Sequence, residues 1–413
     1  MRRRFAPIAT AAVLAAATSL AAAGAAAADS IVYIKDHNVW IANPDGSGAR
    51  AVTSGGESDW PFRSPSQAND GTIAAGFGSD VVRLDQQGNI LSRFDPPVPA
   101  GTASFGASPP QDVAISPDGS KVAYTFYGYS CLPGASCGTR QMTVYSHSDR
   151  AEALGHEFSL TNPEWITNGS VLGFSGWGNQ VNFDQPGSGD YDAKHWFDDG
   201  ETDLTDGELS KQGDRLALLR NYGTNTHLQF YAVNGFTAAP ARACQTGTDE
   251  SLHDPSWSPD GRRVAFAHSE GVEVMALPSI VPGDCPGAQS GKVVLPGGSE
   301  PDWGPAGVQP RYEIEADVAP GTKLAAALKK GLKLTTKTNV AGTLSGAILV
   351  DKKKVGQGSA ALQPGTGAIT FKFTKSARRK LAGRRKITVF VDASFAPRTG
   401  RPFAVSGNVT VKR

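Results

Sequence analysis

The 413 residues carry a formal net charge of +1. After the first 28 residues no segment approaches the roughly 20 consecutive apolar residues of a membrane-spanning helix, so the sequence argues against a membrane-embedded helical protein. The near-neutral total hides a reversal of sign: residues 29–310 hold 34 acidic and 16 basic side chains, and residues 311–413 hold 5 and 21. A change from −18 to +16 at one point predicts a domain boundary near Pro310 and Arg311.

Residues 1–28 read as a secretory signal. Arg2, Arg3 and Arg4 form a positive head, Ala11–Ala23 is apolar, and Ala26, Ala27 and Ala28 precede Asp29. An exported chain is the expectation, secreted or associated with the cell envelope. Ile31–Thr53 then has the alternation of outer strands around a Pro44-Asp45-Gly46 turn, with no inner strand of its own. Asp59–Ala75 contains Trp60 and Gly71 at wider spacing than the later copies of the same text. Asp112–Tyr124 is a clear copy, carrying SPDGSKVAY from Ser116 to Tyr124.

Asn162–Phe174 keeps Pro163, Trp165 and Gly169. Asp184–Asp206 is acidic, with Asp190, Asp192, Asp198, Asp199, Glu201 and Asp203 inside it. Its spacing does not match an EF-hand loop, so a solvated loop is expected over calcium. Asp206–Leu218 keeps the Gly213 turn and an apolar strand. The best copy is Asp254–Leu277, in which Trp257 ends a strand, Pro259 presets a turn, and Gly261 supplies the positive φ that the turn needs.

Gly71, Gly119, Gly169, Gly213 and Gly261 recur at 48, 50, 44 and 48 residues. A period of roughly 40–50 residues made of short strands is the signature of propeller blades. The missing inner strand of the first segment reappears at Glu300–Pro305, where EPDWGP matches the DPSWSP at Asp254–Pro259. Six blades are predicted over residues 29–310, closed by pairing the two ends.

From Arg311 to Arg413 the chain reads as six or seven short strands punctuated by glycine, with helical text at Leu324 onward and at Lys375–Leu381. That predicts an all-β chain: a six-bladed propeller followed by a small immunoglobulin-like sandwich. The SPDG copies resemble the WD40-like repeats of the TolB family, whose propeller is also six-bladed. The resemblance covers about 280 residues and implies a binding propeller. TolB proteins normally carry a small α/β domain ahead of the propeller, which these residues do not show.

Cysteines number four in an exported chain, which favours disulfides over metal or catalysis. Of three possible connectivities, Cys131–Cys137 as a loop staple and Cys244–Cys285 between neighbouring blades is the favoured one. No catalytic residue is expected: there is no GxSxG elbow, and every histidine lies at or before His268. No cofactor and no metal are expected either. His253 stands four residues ahead of Trp257, and its equivalents in the other copies are not histidines, so a set of imidazole ligands is absent.

Three residues ahead of the tryptophan position stand Glu57, Asp112, Asn162, Asp206, Asp254 and Glu300. Each leads an innermost strand, so the six are expected to ring one channel mouth, with His253 beside them. One reading makes them acceptors for backbone N–H groups of adjoining loops. The other is a focused negative field that draws a peptide, a protein or a small cationic ligand. The runner-up function is a lyase or hydrolase acting on a sugar or lactone at the same mouth.

The basic half, with Lys352, Lys353, Lys354, Arg378, Arg379, Lys380, Arg384, Arg385 and Lys386, suits an anionic envelope polymer or the acidic propeller itself. Aromatic interleaving is nearly absent, which argues against nucleic acid.

Overall fold

The computed structural model describes residues 29–98, 108–131, 137–155, 159–175, 180–187, 193–199, 203–318, 322–398 and 402–413. Residues 1–28, expected from the sequence to be a secretory signal, and Asp190, Asp192 and Glu201 of the acidic stretch, lie outside them. The chain divides into two compact units, the first ending at Val308 and the second spanning Gln309–Arg413.

The first unit is a six-bladed β-propeller. Five blades follow one another along the chain, with innermost strands Phe62–Gln67, Gln111–Ile115, Thr161–Thr167, Leu204–Leu209 and His253–Trp257; these are blades 1 to 5. Among the described residues blade 2 has three strands and the other four have four each. In every one the strands run antiparallel in sequence order, each beside the strand that precedes it in the chain.

The SPDG turns behave as their chemistry requires. In blade 5, Gly261 takes φ 65° and its N–H donates to Ser258 O at 2.7 Å. Ser258 Oγ also donates to Asp260 Oδ1 at 2.6 Å, so the turn holds itself together. Gly169 is the exception among the five periodic glycines, sitting in a two-residue link between Thr167 and Ser170 without a positive φ.

Blade 6 is assembled from both ends of the unit. Ser299–Gly304 pairs with Ser30–Lys35, placing Ile31 opposite Trp303 and Val32 opposite Asp302, and Asn38–Ala42 and Arg50–Ala51 complete the sheet. Trp303 is fully buried, and its indole N–H donates to Asp29 Oδ2 at 3.1 Å. The Arg263 guanidinium lies 4.6 Å from the Trp303 ring centroid and 3.3 Å from the same carboxylate. The ring therefore shuts on a buried aromatic anchor, and Ser30–Lys35 is paired on both sides instead of leaving an open edge.

Between blades the core is apolar and layered. Leu219, Phe230, Trp257, Val264 and Phe266 fill the space between blades 4 and 5. Cys244 and Cys285 form a disulfide with a Cα–Cα distance of 5.7 Å, tying the outermost strand of blade 4 to a loop of blade 5. Cys131 and Cys137 face each other in the register of the second and third strands of blade 2. Their side chains lie outside the described residues.

The second unit is one seven-stranded antiparallel sheet, nearly closed on itself. Its strand order is Ile314–Val318, Leu332–Thr338, Gly365–Phe373, Lys353–Leu362, Gly342–Val350, Lys386–Pro397 and Phe403–Lys412. The two edges approach where Tyr312 stacks on Phe403 with centroids 6.0 Å apart. Inside lie Leu334, Leu344, Ile348, Phe371 and Phe395, and the helices Leu324–Lys330 and Lys375–Leu381 cover them. The module is sandwich- or barrel-like. Its nine singled-out cations are all exposed.

Candidate functional site: a two-tiered acidic channel

A local backbone irregularity builds the site. Each innermost strand breaks register with its neighbour near its start. In five blades the residue at that break takes a left-handed backbone: Ser64 (φ 43°), Asp112 (48°), Asn162 (45°), Asp254 (51°) and Glu300 (51°). Such a conformation at a residue other than glycine costs about 1–3 kcal/mol and persists only where surroundings over-determine it. Four of these residues precede proline, which already disfavours the ordinary helical conformation. The bulge turns the side chain toward the propeller axis, and the second residue after it faces the same way because strands alternate with period two.

Two tiers of side chains thus line the central cavity. The mouth tier is Ser64, Asp112, Asn162, Asp206, Asp254 and Glu300. The inner tier is Ser66, Ala114, Glu164, Glu208, Ser256 and Asp302. The cavity measures about 100 Å³, against the ~300–1,000 Å³ of pockets that enclose a drug-sized molecule. It accommodates a head group and not the body of a sugar or peptide.

Glu57 does not belong to this ring. It is exposed and forms an isolated bridge with Trp60, itself 58% exposed. Alignment on Trp60 misled the sequence reading. Blade 1 places Gln67 where the other blades carry Ile115, Trp165, Leu209, Trp257 and Trp303, and so Ser64 takes the mouth position. The mouth therefore holds four carboxylates, not five.

Mouth-tier carboxylates reach across to the next blade. Ser64 N–H donates to Glu300 Oε2 at 2.5 Å, and Asp254 N–H donates to Asp206 Oδ2 at 2.9 Å. Asp112 accepts from the backbone of Asn162 and from Tyr127 Oη at 3.0 Å. Asn162 carries no charge, and its amide donates to Thr205 O at 2.5 Å. These contacts match the acceptor role, with one refinement: the N–H belongs to the neighbouring blade and to the strained residue itself.

Hydrogen bonding does not neutralise the mouth. Burial, with the charge of Asp254 adding to it, pushes Asp112 up to about 6 and Glu300 up to about 7. Burial followed by the charges of Asp254 and Asp112 holds Asp206 well above the usual carboxylate range. His253 stands beside the mouth and outside its lining, with Nδ1 2.5 Å from Asp254 Oδ2. Burial alone would lower its pKa, but the bond to Asp254 and the charges of Asp254, Asp206 and Glu300 raise it.

No signal singled out the inner tier in the sequence, although two-residue alternation from the mouth positions would have found it. Its acceptors also staple blade to blade. Trp257 N–H donates to Glu208 Oε2 at 3.0 Å, Ile115 N–H to Ser66 Oγ at 3.1 Å, and Trp303 N–H to Ser256 Oγ at 2.9 Å. Gln67 N–H donates to Asp302. Glu164, Glu208 and Asp302 bring three carboxylates together here, and Lys211 enters among them. Its Nζ lies 3.6 Å from Glu208 and 3.7 Å from Glu164. Burial would lower the Lys211 pKa, yet these three carboxylates hold it above the ordinary lysine value.

Burial also dominates on the acid side of this tier, pushing Glu208 up to about 7 and Glu164 and Asp302 upward as well. Glu164 keeps 25% side-chain exposure to the channel, so water still screens part of that penalty.

The acidic stretch ahead of blade 4 is not a ligand cage in its described part. Asp199 is buried, accepts from Tyr231 Oη at 2.5 Å and pairs with Arg220 Nε at 2.9 Å and with Arg242. His195 Nε2 is 3.0 Å from Asp198, and Trp196 is buried against Phe183. Among the described residues no group of three or more His, Cys, Asp or Glu side chains is placed to hold a metal ion.

No protein-family model matches the chain, and no curated protein matches it. Several hundred solved chains match it in structure. A chain of the nidogen/laminin complex is 10% identical, with 68% of this chain and 100% of that one covered and a TM-score of 0.46. Oligogalacturonate lyase of Vibrio parahaemolyticus is 10% identical over 82% of this chain and 84% of its own, with a TM-score of 0.41. A protein of unknown function from Desulfotomaculum acetoxidans is 12% identical over 65% and 99%, with a TM-score of 0.40. Likeness at this level carries no argument about what the channel does.

Proposed function

We propose that the protein is an exported binding module of TolB-like type whose channel mouth takes the ammonium or guanidinium head of a basic peptide, protein or small ligand. One observation carries this reading: Asp112, Asp206, Asp254 and Glu300 converge on a cavity of about 100 Å³, and among the described residues His253 stands beside them while Lys211 pairs with the inner tier. Low-dielectric walls concentrate such a field, and an incoming cation supplies the charge the ring lacks. An oxidising compartment fits the Cys244–Cys285 disulfide. The exposed cations of the second unit are the proposed contact for an anionic envelope polymer.

Titration of a lysine- and arginine-rich peptide by calorimetry tests the mouth. Affinity is expected to fall as the pH drops from 8 to 5.5, because Glu300 near 7 and Asp112 near 6 then take up protons and lose the charge that attracts the ligand. Asp254→Asn and added salt are expected to weaken it further. Binding that is indifferent to pH, salt and Asp254→Asn sinks the reading.

A second reading rests on the His253–Asp254 pair. A carboxylate that orients an imidazole beside acids titrating near neutrality is an arrangement suited to general acid–base chemistry. Turnover of a sugar or lactone that disappears in His253→Ala would favour a lyase or hydrolase over the binding module.

A further inference from the structure

A groove of about 520 Å³ lies between the outer parts of blades 4 and 5, separate from the channel and sharing no lining residue with it. That volume falls within the ~300–1,000 Å³ typical of small-molecule sites. Its floor is apolar, made by Leu252, Phe266 and Met275, and its charged groups are Asp249, Glu273 and His268.

Those three polar side chains form a braced series. Ser251 donates to Asp249 Oδ1 twice, from its N–H at 2.8 Å and its hydroxyl at 2.6 Å. Asp249 Oδ2 lies 3.2 Å from His268 Nε2, and His268 Nδ1 lies 3.3 Å from Glu273 Oε1. That Nδ1 is buried and has no aligned hydrogen-bond partner. Gly291 lies close beside Glu273: a Cβ there would meet Glu273 Oε2 at 2.3 Å and Phe266 Cζ at 3.2 Å, so the carboxylate would have to move from its place. Beside this histidine the described lining carries two carboxylates and no lysine or arginine.

We propose that this groove is a second binding site, for a small primary amine that carries an aromatic ring. The ring lies on Phe266 and Met275, where a thioether beside an aromatic face adds to simple burial. The ammonium reaches Asp249 and Glu273, and charge-assisted hydrogen bonds of this kind are about twice as strong as neutral ones. The size of the groove and the sign of its charge select this class together: the volume suits a ring, and two carboxylates around one imidazole favour a cation.

The probe is 2-phenylethylamine, titrated into the full chain by calorimetry, with 2-phenylethanol as the uncharged comparison. A saturable site that persists in the channel variant Glu300→Gln is expected, at least tenfold weaker for the alcohol. Glu273→Gln and Gly291→Ala are each expected to weaken amine binding at least tenfold, whereas the channel variant Glu300→Gln leaves it unchanged. Should near-ultraviolet circular dichroism show that Glu273→Gln misfolds, the half-exposed Asp249→Asn is read in its place with the same expectation. The proposal is overturned by no saturable binding, by equal binding of the alcohol, or by binding lost in Glu300→Gln and kept in Glu273→Gln. Binding of the basic peptide at the channel is measured separately, so either site can fail without the other.

Discussion

The two tiers of the channel come from the same strands, two residues apart, and yet they handle charge in opposite ways. In the inner tier Glu164, Glu208 and Asp302 surround Lys211, so the chain itself provides the cation. At the mouth four carboxylates share one imidazole beside them. A buried carboxylate is tolerated where an internal partner stands against it, and it stores unfavourable energy where none does. The difference between the tiers is what separates structural acids from acids poised for a ligand.

Removing the internal partner should produce the largest effect. Lys211→Met leaves three carboxylates facing one another and is expected to cost about 2–3 kcal/mol, less than a fully buried pair because Lys211 keeps some exposure. Urea unfolding at pH 8 measures it. The loss should shrink toward pH 4, where Glu164, Glu208 and Asp302 take up protons. An equal loss at both pH values would show that Lys211 acts by packing and not by charge.

Glu300→Gln should act in the opposite direction. The amide oxygen can still accept from Ser64 N–H, while one mouth charge disappears. Because the folded pKa of Glu300 lies above its unfolded value, the folded chain binds this proton more tightly. Its ionisation therefore destabilises the fold as the pH rises from about 4 through 7. Glu300→Gln is expected to gain on the order of 1–2 kcal/mol at pH 8 and nothing near pH 4, and to bind the basic peptide more weakly. A variant that gains stability and keeps its affinity would separate the strained mouth from the ligand.

Ser64→Asp places a fifth carboxylate in the mouth and sharpens the same contrast. It is expected to tighten peptide binding at pH 8 several-fold and to lower stability by about 1 kcal/mol through like-charge repulsion. Glu57→Gln gives the smallest effect. Exposed and outside the ring, it should change stability by less than about 0.5 kcal/mol and leave peptide binding alone.

Most of the blade plan was legible because turns are local. The Ser-Pro-Asp-Gly text needs only its own side chains to close, so Ser116–Gly119 and Ser258–Gly261 fold as their letters suggest. The split blade was legible too, since EPDWGP repeats DPSWSP and an unpaired inner strand requires a partner. Blade 1 was misread because Trp60 is a tryptophan without the burial that normally gives such a residue its meaning. Lys211 was not legible as a channel residue at all: in the sequence it is one lysine in a turn, and nothing local says which carboxylates it meets.

The sequence by itself determined the repeat, the closure of the ring, the division of charge between the two halves and the positions that lead five of the six inner strands. Those features rest on backbone preferences and alternation, which act over a few residues. Only the tertiary structure decided which acids are balanced and which are not. That balance depends on distances across blades some 50 residues apart along the chain and on how far each carboxylate is withdrawn from water, two quantities that no stretch of letters contains.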